Sequence, residues 1–144
     1  MKVRALVLVT AVGFLSACGV SGPSSTVPFN MSGQLPFKVG GGGIIAKPFT
    51  ISCSNASDCG LTLKLTTMQP DPLTNVALAI IAFGTTSAGT QDCLPGQVLS
   101  SVITVQGGPG INQQVSNGTF CAAVIDIGNL HQTQTVTVTG QIPG

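Results

Sequence analysis

The sequence predicts an all-β fold, namely an antiparallel β-sandwich of two sheets that is held by two disulfides. Three observations predict it. From residue 29 onward apolar and polar residues alternate repeatedly, which is the period of a half-buried strand. Glycine, proline, asparagine and aspartate break this alternation at short intervals, and seven or eight short strands with such turns indicate a sandwich. Four cysteines also lie in this part of the chain.

Two of the predicted strands alternate most clearly. Residues 61–66 place three leucines on one face and threonine and lysine on the other, and residues 133–139 oppose threonines to valines. Residues 76–83 form a nearly continuous apolar run, which predicts a buried strand or, because of its alanines, a buried helix. The other predicted strands are 34–39, 44–52, 98–105 and 118–127.

Turn-forming residues fill the segments between these strands, which are 40–43, 69–72, 84–96 and 107–110. Residues 19–28 are small, polar and spaced by proline, so they predict a flexible tether. We therefore divide the chain into a leader over residues 1–17, a tether over 18–33 and one β-sandwich domain over 34–144. A chain of this length suffices for one core and is short for two.

The leader has the pattern of a secretory signal peptide. Lys2 and Arg4 precede an apolar stretch over 5–14 that is too short to span a bilayer as a helix. Residues 15–18, Leu-Ser-Ala-Cys, follow it and resemble the bacterial lipobox, whose cysteine is diacylated and becomes the new N-terminus. The resemblance implies that Cys18 is the lipidated first residue of an exported lipoprotein. The alternative is an ordinary signal peptide with an incidental cysteine.

Lipidation of Cys18 would determine how the protein meets a membrane. Two acyl chains give stable anchoring without a spanning helix, so we expect a protein anchored in the cell envelope. Gly19 follows the cysteine where, in the lipoproteins that the motif resembles, an aspartate favours retention in the inner membrane. We therefore expect the outer membrane where the host has two membranes.

The predicted mature chain is nearly uncharged. Charged residues are 6% of the whole sequence, against about 25% in typical domains. After residue 18 three lysines face four aspartates, a formal charge of −1: Lys38, Lys47 and Lys64 against Asp58, Asp71, Asp92 and Asp126. Without a basic patch, binding to nucleic acid and electrostatic docking to a membrane lose their main driving term. So weakly charged a surface also favours association with neighbours.

The four remaining cysteines form an even set, which in an exported protein predicts two disulfides in one of three connectivities. We favour Cys53 with Cys59 around a short polar turn, and Cys93 with Cys121 between segments far apart in sequence. A zinc site is the weaker interpretation, because no C-x-x-C pair occurs and the one histidine, His131, has no second ligand at useful spacing.

The C-terminal part of the chain resembles a known family. Residues 117–130 read Asn-Gly-Thr-Phe-Cys-Ala-Ala-Val-Ile-Asp-Ile-Gly-Asn-Leu and precede a strand of threonine and valine. This is similar to the last hairpin of bacterial pre-peptidase C-terminal-type domains, which have a Gly-Thr-Tyr-like start and an Asp-x-Gly-Asn-like turn. The similarity covers residues 37–142. It implies a jelly-roll-like β-sandwich that serves as a binding, folding or attachment accessory without catalysis.

Candidate catalytic residues are sparse. A hydrolase needs a nucleophile with a positioned base and a group that orients the base, and His131 is the one histidine, in a segment between two strands. No serine lies in a G-x-S-x-G context, and four scattered aspartates without any glutamate disfavour glycosidase chemistry. We therefore expect a protein that is not an enzyme and that carries no cofactor. A small hydrolase is the least favoured hypothesis.

Calcium is the most serious small-ligand hypothesis, because loops of β-sandwiches supply carboxylate, amide and backbone oxygens to this cation. Asp126 and Asn129 share one predicted turn, and Asp92 precedes Cys93, which the favoured disulfide would bring near Cys121. The three oxygen donors would then meet at one end of the domain. The alternative is that Asp126 and Asn129 cap their own turn through hydrogen bonds to the backbone.

The sequence thus predicts a non-catalytic, membrane-anchored envelope lipoprotein whose β-sandwich is an accessory or binding module for an envelope protein or a glycan. The alternative is a structural subunit of a surface assembly, in which weakly charged flanks and strand edges pack against copies or partners.

Overall fold

The computed structural model describes residues 25–55 and 59–144, and this part of the chain contains eight β-strands and no helix. In chain order the strands are β1 Thr26–Leu35, β2 Ile44–Ile51, β3 Gly60–Gln69, β4 Val76–Thr85, β5 Gln91–Thr104, β6 Ile111–Gln114, β7 Gly118–Ile125 and β8 Gln134–Pro143. The leader and Cys18 lie outside the described residues.

The strands form two four-stranded antiparallel sheets. Sheet A has the order β1-β8-β3-β6, and sheet B has the order β2-β7-β4-β5. The chain forms one long antiparallel hairpin, in which β1 pairs with β8, β2 with β7, β3 with β6 and β4 with β5. This hairpin is rolled up, so that β8 also pairs with β3 and β7 also pairs with β4. This is the double-sheet arrangement of a jelly roll. The predicted antiparallel β-sandwich is confirmed.

Sheet A follows the expected alternation of inward apolar and outward polar residues. On β3, Leu61, Leu63 and Leu65 are at most 1% exposed, whereas Thr62 and Lys64 between them face solvent. Strand β8 repeats the pattern, with its valines buried between its threonines. The hydrophobic core therefore lies between the two sheets, where burial of apolar side chains is the main stabilising term.

Sheet B is apolar on both of its faces. The run at 76–83 is a strand, and its residues Val76, Leu78 and Ile80 contribute to the core between the sheets. Ala79 and Ile81 point the other way and form a second, fully buried cluster with Cys121 and Ala123 of β7. A strand that is buried on both faces loses the period-2 pattern, which is why the sequence left a helix open for this run.

The two predicted disulfides are both present. Cys53 is bonded to Cys59 with a Cα–Cα distance of 5.6 Å, and Cys93 is bonded to Cys121 with a Cα–Cα distance of 5.8 Å. The first closes a loop of six residues in sequence separation and the second a loop of 28. The connectivity that we favoured among the three is confirmed.

The domain begins earlier than predicted. Residues 26–33, assigned above to the tether, belong to β1, and the strand predicted over 34–39 ends at Leu35. Phe29, Met31 and Leu35 are buried at alternate positions of β1, and all its residues pair with β8. Pro28 is tolerated because β1 is an edge strand, where a missing N–H donor can face solvent.

Two further predictions need correction. The segment 84–96 is mostly strand, because β4 continues to Thr85 and β5 already begins at Gln91. Pro95 and Gly96 lie within β5, which is an edge strand whose register with β4 is irregular around them, as at a β-bulge. The short strand β6 was not predicted, because only Ile111 of its four residues is buried.

Candidate functional site

The described chain begins at one end of the sandwich, beside its C-terminus. The backbone N–H of Gly144 donates to the carbonyl oxygen of Ser25 at 2.9 Å, and the Ser25 hydroxyl donates to the carbonyl oxygen of Gly144 at 3.2 Å. We call this the anchor end, because a tether from Cys18 would join the domain there.

Four loops lie at the opposite end, which we call the loop end. They are the β1–β2 loop over 36–43, the β3–β4 loop over 70–75, the β5–β6 loop over 105–110 and the β7–β8 loop over 126–133. Antiparallel pairing brings them together, since β1, β3, β5 and β7 all run from the anchor end toward the loop end.

Backbone hydrogen bonds join the β1–β2 loop to the β7–β8 loop. The N–H of Gly42 donates to the carbonyl oxygen of Asp126 at 2.8 Å, and the N–H of Asp126 donates to that of Gly43 at 2.7 Å. The N–H of Phe37 donates to the Thr133 hydroxyl at 3.2 Å. These bonds extend the β2–β7 pairing into the loops, so the two loops form one ordered unit.

The other two loops are joined to this unit. The Asn129 amide donates to the carbonyl oxygen of Asn75 at 3.3 Å, which connects the β7–β8 and β3–β4 loops. The N–H of Gln106 donates to the carbonyl oxygen of Pro72 at 3.1 Å, which connects the β3–β4 and β5–β6 loops. All four loops are therefore linked by hydrogen bonds into one platform.

Asp71 strengthens the link between the β3–β4 loop and the segment before β8. One carboxylate oxygen accepts hydrogen bonds from the side-chain amides of Gln132 at 3.0 Å and Gln134 at 2.9 Å. These two hydrogen bonds hold the pKa of the Asp71 carboxyl below its usual value of 3.8, and the bond from Gln132 has the larger effect. The charge of the nearby His131 also lowers this pKa, whereas desolvation raises it. The carboxylate is thus already engaged by neighbours.

Asp126 is the buried acid of the platform, with a side chain that is 2% exposed. Its Oδ1 accepts from the backbone N–H groups of Gly128 at 2.9 Å, Asn129 at 3.2 Å and Leu130 at 3.3 Å. Its Oδ2 is buried and has no hydrogen-bond partner within residues 25–55 and 59–144. Oδ1 therefore caps the β7–β8 turn, which is the turn-capping alternative that the sequence left open.

The predicted calcium ligands do not meet. Asp92 pairs with Gly84 of β4, whereas Asp126 follows Ile125, which pairs with Ala77 of the same strand. The two positions are seven residues apart along β4, or about 23 Å. The expectation that Asp92 joins Asp126 and Asn129 was wrong, because Asp126 lies five residues beyond Cys121 toward the loop end, whereas Asp92 lies on the anchor-end side of Cys93. No group of three or more His, Cys, Asp and Glu side chains in the described part of the chain is arranged to hold a metal ion.

The most exposed large apolar side chains of the described domain lie on this platform. Val39 in the β1–β2 loop is 93% exposed, and Leu73 in the β3–β4 loop is 82% exposed. Phe37 in the β1–β2 loop and Ile127 in the β7–β8 loop are 40% and 42% exposed. Sequence reasoning missed this surface because it placed Phe37 and Val39 in a strand and treated the 69–72 segment only as a turn.

No protein-family model matches the chain, and no curated protein matches it. The candidate surface therefore rests on the chemistry of its own residues. Among the described residues no helix has both the length and the apolar character needed to cross a membrane. His131 is exposed in the β7–β8 loop near Asp71.

Proposed function

We propose that this protein is a non-catalytic, lipid-anchored envelope module whose loop end binds an apolar segment of another envelope protein. The anchoring part of the proposal rests on the lipobox-like residues 15–18 and Cys18. The binding part rests on the platform of four hydrogen-bonded loops.

One observation carries the proposal: the point where the tether would join the domain and the most exposed apolar side chains lie at opposite ends. Ser25 lies at the anchor end, and Val39 and Leu73 lie at the loop end. Strands of ten residues separate these ends by about 33 Å. A domain that is held to a membrane near Ser25 can therefore direct its exposed apolar side chains away from the bilayer.

The chemistry of the platform favours a protein over a glycan as its ligand. Contiguous exposed apolar patches mark protein contact sites, and Val39, Leu73 and Ile127 expose their side chains from three loops of one hydrogen-bonded platform. The residues of the four loops with a formal charge are Lys38, Asp71, which two glutamine amides already bond, and Asp126, which is buried. Hydrogen bonds preorganise the platform, so the loops lose little conformational entropy when a partner binds.

Site-specific photocrosslinking in intact cells tests the proposal. A photoreactive residue at position 39 or 73 should form a covalent adduct with one envelope protein. The same residue at exposed position 66, on the outer side of sheet A, should not.

The paired variant Val39→Ser with Leu73→Ser should abolish the adduct formed from position 127 and leave the melting temperature within a few degrees of the parent. Equal adducts from positions 39 and 66, or none from 39, 73 and 127, would contradict binding at the loop end.

A structural subunit remains a second candidate, favoured by the outer edge of sheet B. Strand β5 is 14 residues long, lies at the edge and exposes Val98, Leu99 and Ile103 by about half or more. It has no charged residue after Asp92, so its unpaired backbone groups could join another chain.

The opposite edge of sheet B is protected. Strand β2 contains Pro48, and Lys47 points from it toward sheet A, where its Nζ donates to the carbonyl oxygen of Asn30 at 2.7 Å. Size-exclusion chromatography across a range of concentrations tests self-assembly. A concentration-dependent oligomer that Ile103→Lys dissolves would support it, and a monomer at every concentration would exclude it.

A further inference from the structure

The outer side of sheet A carries a groove that lies apart from the loop end. Its volume is about 600 Å³, within the range of roughly 300–1,000 Å³ found for ligand pockets. Residues from all four strands line it, in the half of the sheet nearer the anchor end, together with Gly110, the last residue of the β5–β6 loop, which lies beside Leu63.

The register brings its polar residues into two rows across the sheet. Asn30 of β1 and Lys64 of β3 both pair with Thr139 of β8. One step nearer the anchor end, Gln141 of β8 pairs with Thr62, which in turn pairs with Asn112 of β6. These six residues project hydroxyl, amide and ammonium groups from the outer side of the sheet.

Five of these six polar side chains have no hydrogen-bond partner in the described part of the chain, in contrast to the rest of the same face; the exception is the Thr62 hydroxyl, which accepts from the N–H of Gln141 at 3.3 Å. Toward the loop end, the Ser32 and Thr137 hydroxyls bond to each other at 2.9 Å, and the Gln34 amide donates to the Thr135 hydroxyl at 2.8 Å. In the groove, no hydrogen bond within the described chain involves the side chains of Asn30, Lys64, Asn112, Thr139 and Gln141.

The shape of the groove depends on one glycine. A Cβ at Gly110 would overlap the carbonyl oxygen of Leu63, so this position cannot carry a side chain that fills the depression. Gly140 also lines the groove, but it pairs with Leu63, and a Cβ there would overlap the carbonyl oxygen of Thr62 and contact the buried Leu63 side chain. Pro28 adds an exposed apolar wall at the side of β1.

We infer that this groove binds an acidic saccharide, such as a uronate-containing oligosaccharide. Several free amides and hydroxyls can each pair with sugar hydroxyls. Lys64 is the one residue lining the groove that has a formal charge, and no carboxylate lines it, so a negatively charged group on the ligand gains a charge-assisted hydrogen bond. Sugar binding here does not need an aromatic platform, because hydrogen bonds and the Pro28 ring supply the contacts.

Calorimetric titration of the whole protein in a non-ionic detergent tests the inference. The probes are an oligogalacturonate, a malto-oligosaccharide of the same length and glycerol 3-phosphate, the headgroup fragment of an anionic phospholipid. The oligogalacturonate should bind, with an affinity that falls as salt is raised.

Two pairs of variants locate the binding. Lys64→Gln should weaken it about tenfold, whereas Lys38→Gln, which removes the same charge at the loop end, should leave it unchanged. Thr139→Val should weaken it about threefold, whereas Thr135→Val, on the same strand and face but with its hydroxyl already bonded, should not.

Three results would overturn the inference. Equal binding of the neutral oligosaccharide would remove the role of Lys64, and tighter Lys64-dependent binding of glycerol 3-phosphate would reassign the groove to lipid headgroups. No heat with any of the three probes would leave the groove without this ligand class. None of these results bears on the loop end, so the proposed function is tested separately.

Discussion

The outer faces of the two sheets differ in almost every residue. On sheet A most outward residues of the strands carry hydroxyls, amides or, at Lys64, an ammonium group, as in the row Asn30, Thr139 and Lys64; Pro28 is an apolar exception. The corresponding rows of sheet B are apolar except for Ser101: Ile44, Ile125, Ala77 and Ile103; then Ala46, Ala123, Ala79 and Ser101; then Pro48, Cys121, Ile81 and Val98.

This difference gives the two outer faces of one sandwich different chemistry. The outer side of sheet A faces solvent and carries polar groups, whereas the centre of the outer side of sheet B is fully buried around Ala79, Ile81, Cys121 and Ala123. The disulfide between Cys93 and Cys121 lies on this apolar side. We therefore expect substitutions on sheet B to change the free energy of unfolding and substitutions on sheet A to change binding.

The largest expected effect comes from truncating the centre of the apolar side. Ile81→Ala should lower the free energy of unfolding by about 2–5 kcal/mol, because it removes buried methylene groups and leaves a cavity. Ser32→Ala, on the exposed side of sheet A, should cost no more than about 1 kcal/mol. Urea denaturation measures both. Equal losses would mean that the two outer faces do not differ in the way described.

The two disulfides should also differ. In the chain-entropy model, replacing Cys93 and Cys121 by serine should cost about 3–4 kcal/mol, and replacing Cys53 and Cys59 about 2 kcal/mol, because the first pair closes the longer loop. Thermal unfolding of the two double variants gives the comparison. A larger loss for the Cys53 and Cys59 pair would contradict the greater importance of the sheet B bridge.

Asp92 on β5 and Asp126 just after β7 give a matched pair of acids. Asp126→Ala should lower the free energy of unfolding by about 2–3 kcal/mol, since three backbone N–H groups of the β7–β8 turn lose their acceptor. Asp92→Ala should change it by about 0.5 kcal/mol or less, because Asp92 is exposed and bonds only the N–H of Cys93. Denaturant titration in calcium-free buffer measures the free energy of unfolding of both variants. Equal losses would contradict the prediction.

The smallest expected effect is the pH dependence contributed by Asp71. The pKa of this carboxyl is lowered in the folded protein, so its contribution to stability is present above its unfolded value near 3.8 and is lost as pH falls through the lower folded pKa. Asp71→Asn should therefore flatten the acid limb of the stability curve slightly and leave the curve between pH 5 and 8 parallel to that of the parent. A change of slope near neutral pH would assign the effect to another group.

The two faces also explain how much of the fold could be predicted from sequence. Residues 61–66 were assigned correctly because only one side of β3 is buried, so the leucines alternate. The run 76–83 stayed ambiguous because both sides of β4 are buried. Strand β1 was missed because Pro28 and Gly33 interrupt the pattern of Phe29, Met31 and Leu35.

The candidate sites could be predicted only in part, because they depend on how distant segments of the chain are arranged in space. The turn at Asp126 and Asn129 was predicted from local chemistry. Asp92 was misplaced because the length of β4 separates it from Asp126. The exposure of Val39 and Leu73 depends on how four loops stack, and the free polar groups near Lys64 depend on the register of three strands.

Mass spectrometry of the mature protein, extracted from the envelope fraction, tests the central claim that this domain is anchored through Cys18. We expect an N-terminal peptide that begins at Cys18 and carries a thioether-linked diacylglyceryl group, with residues 1–17 absent. A mature protein that retains residues 1–17, or that begins elsewhere with an unmodified Cys18, would contradict it.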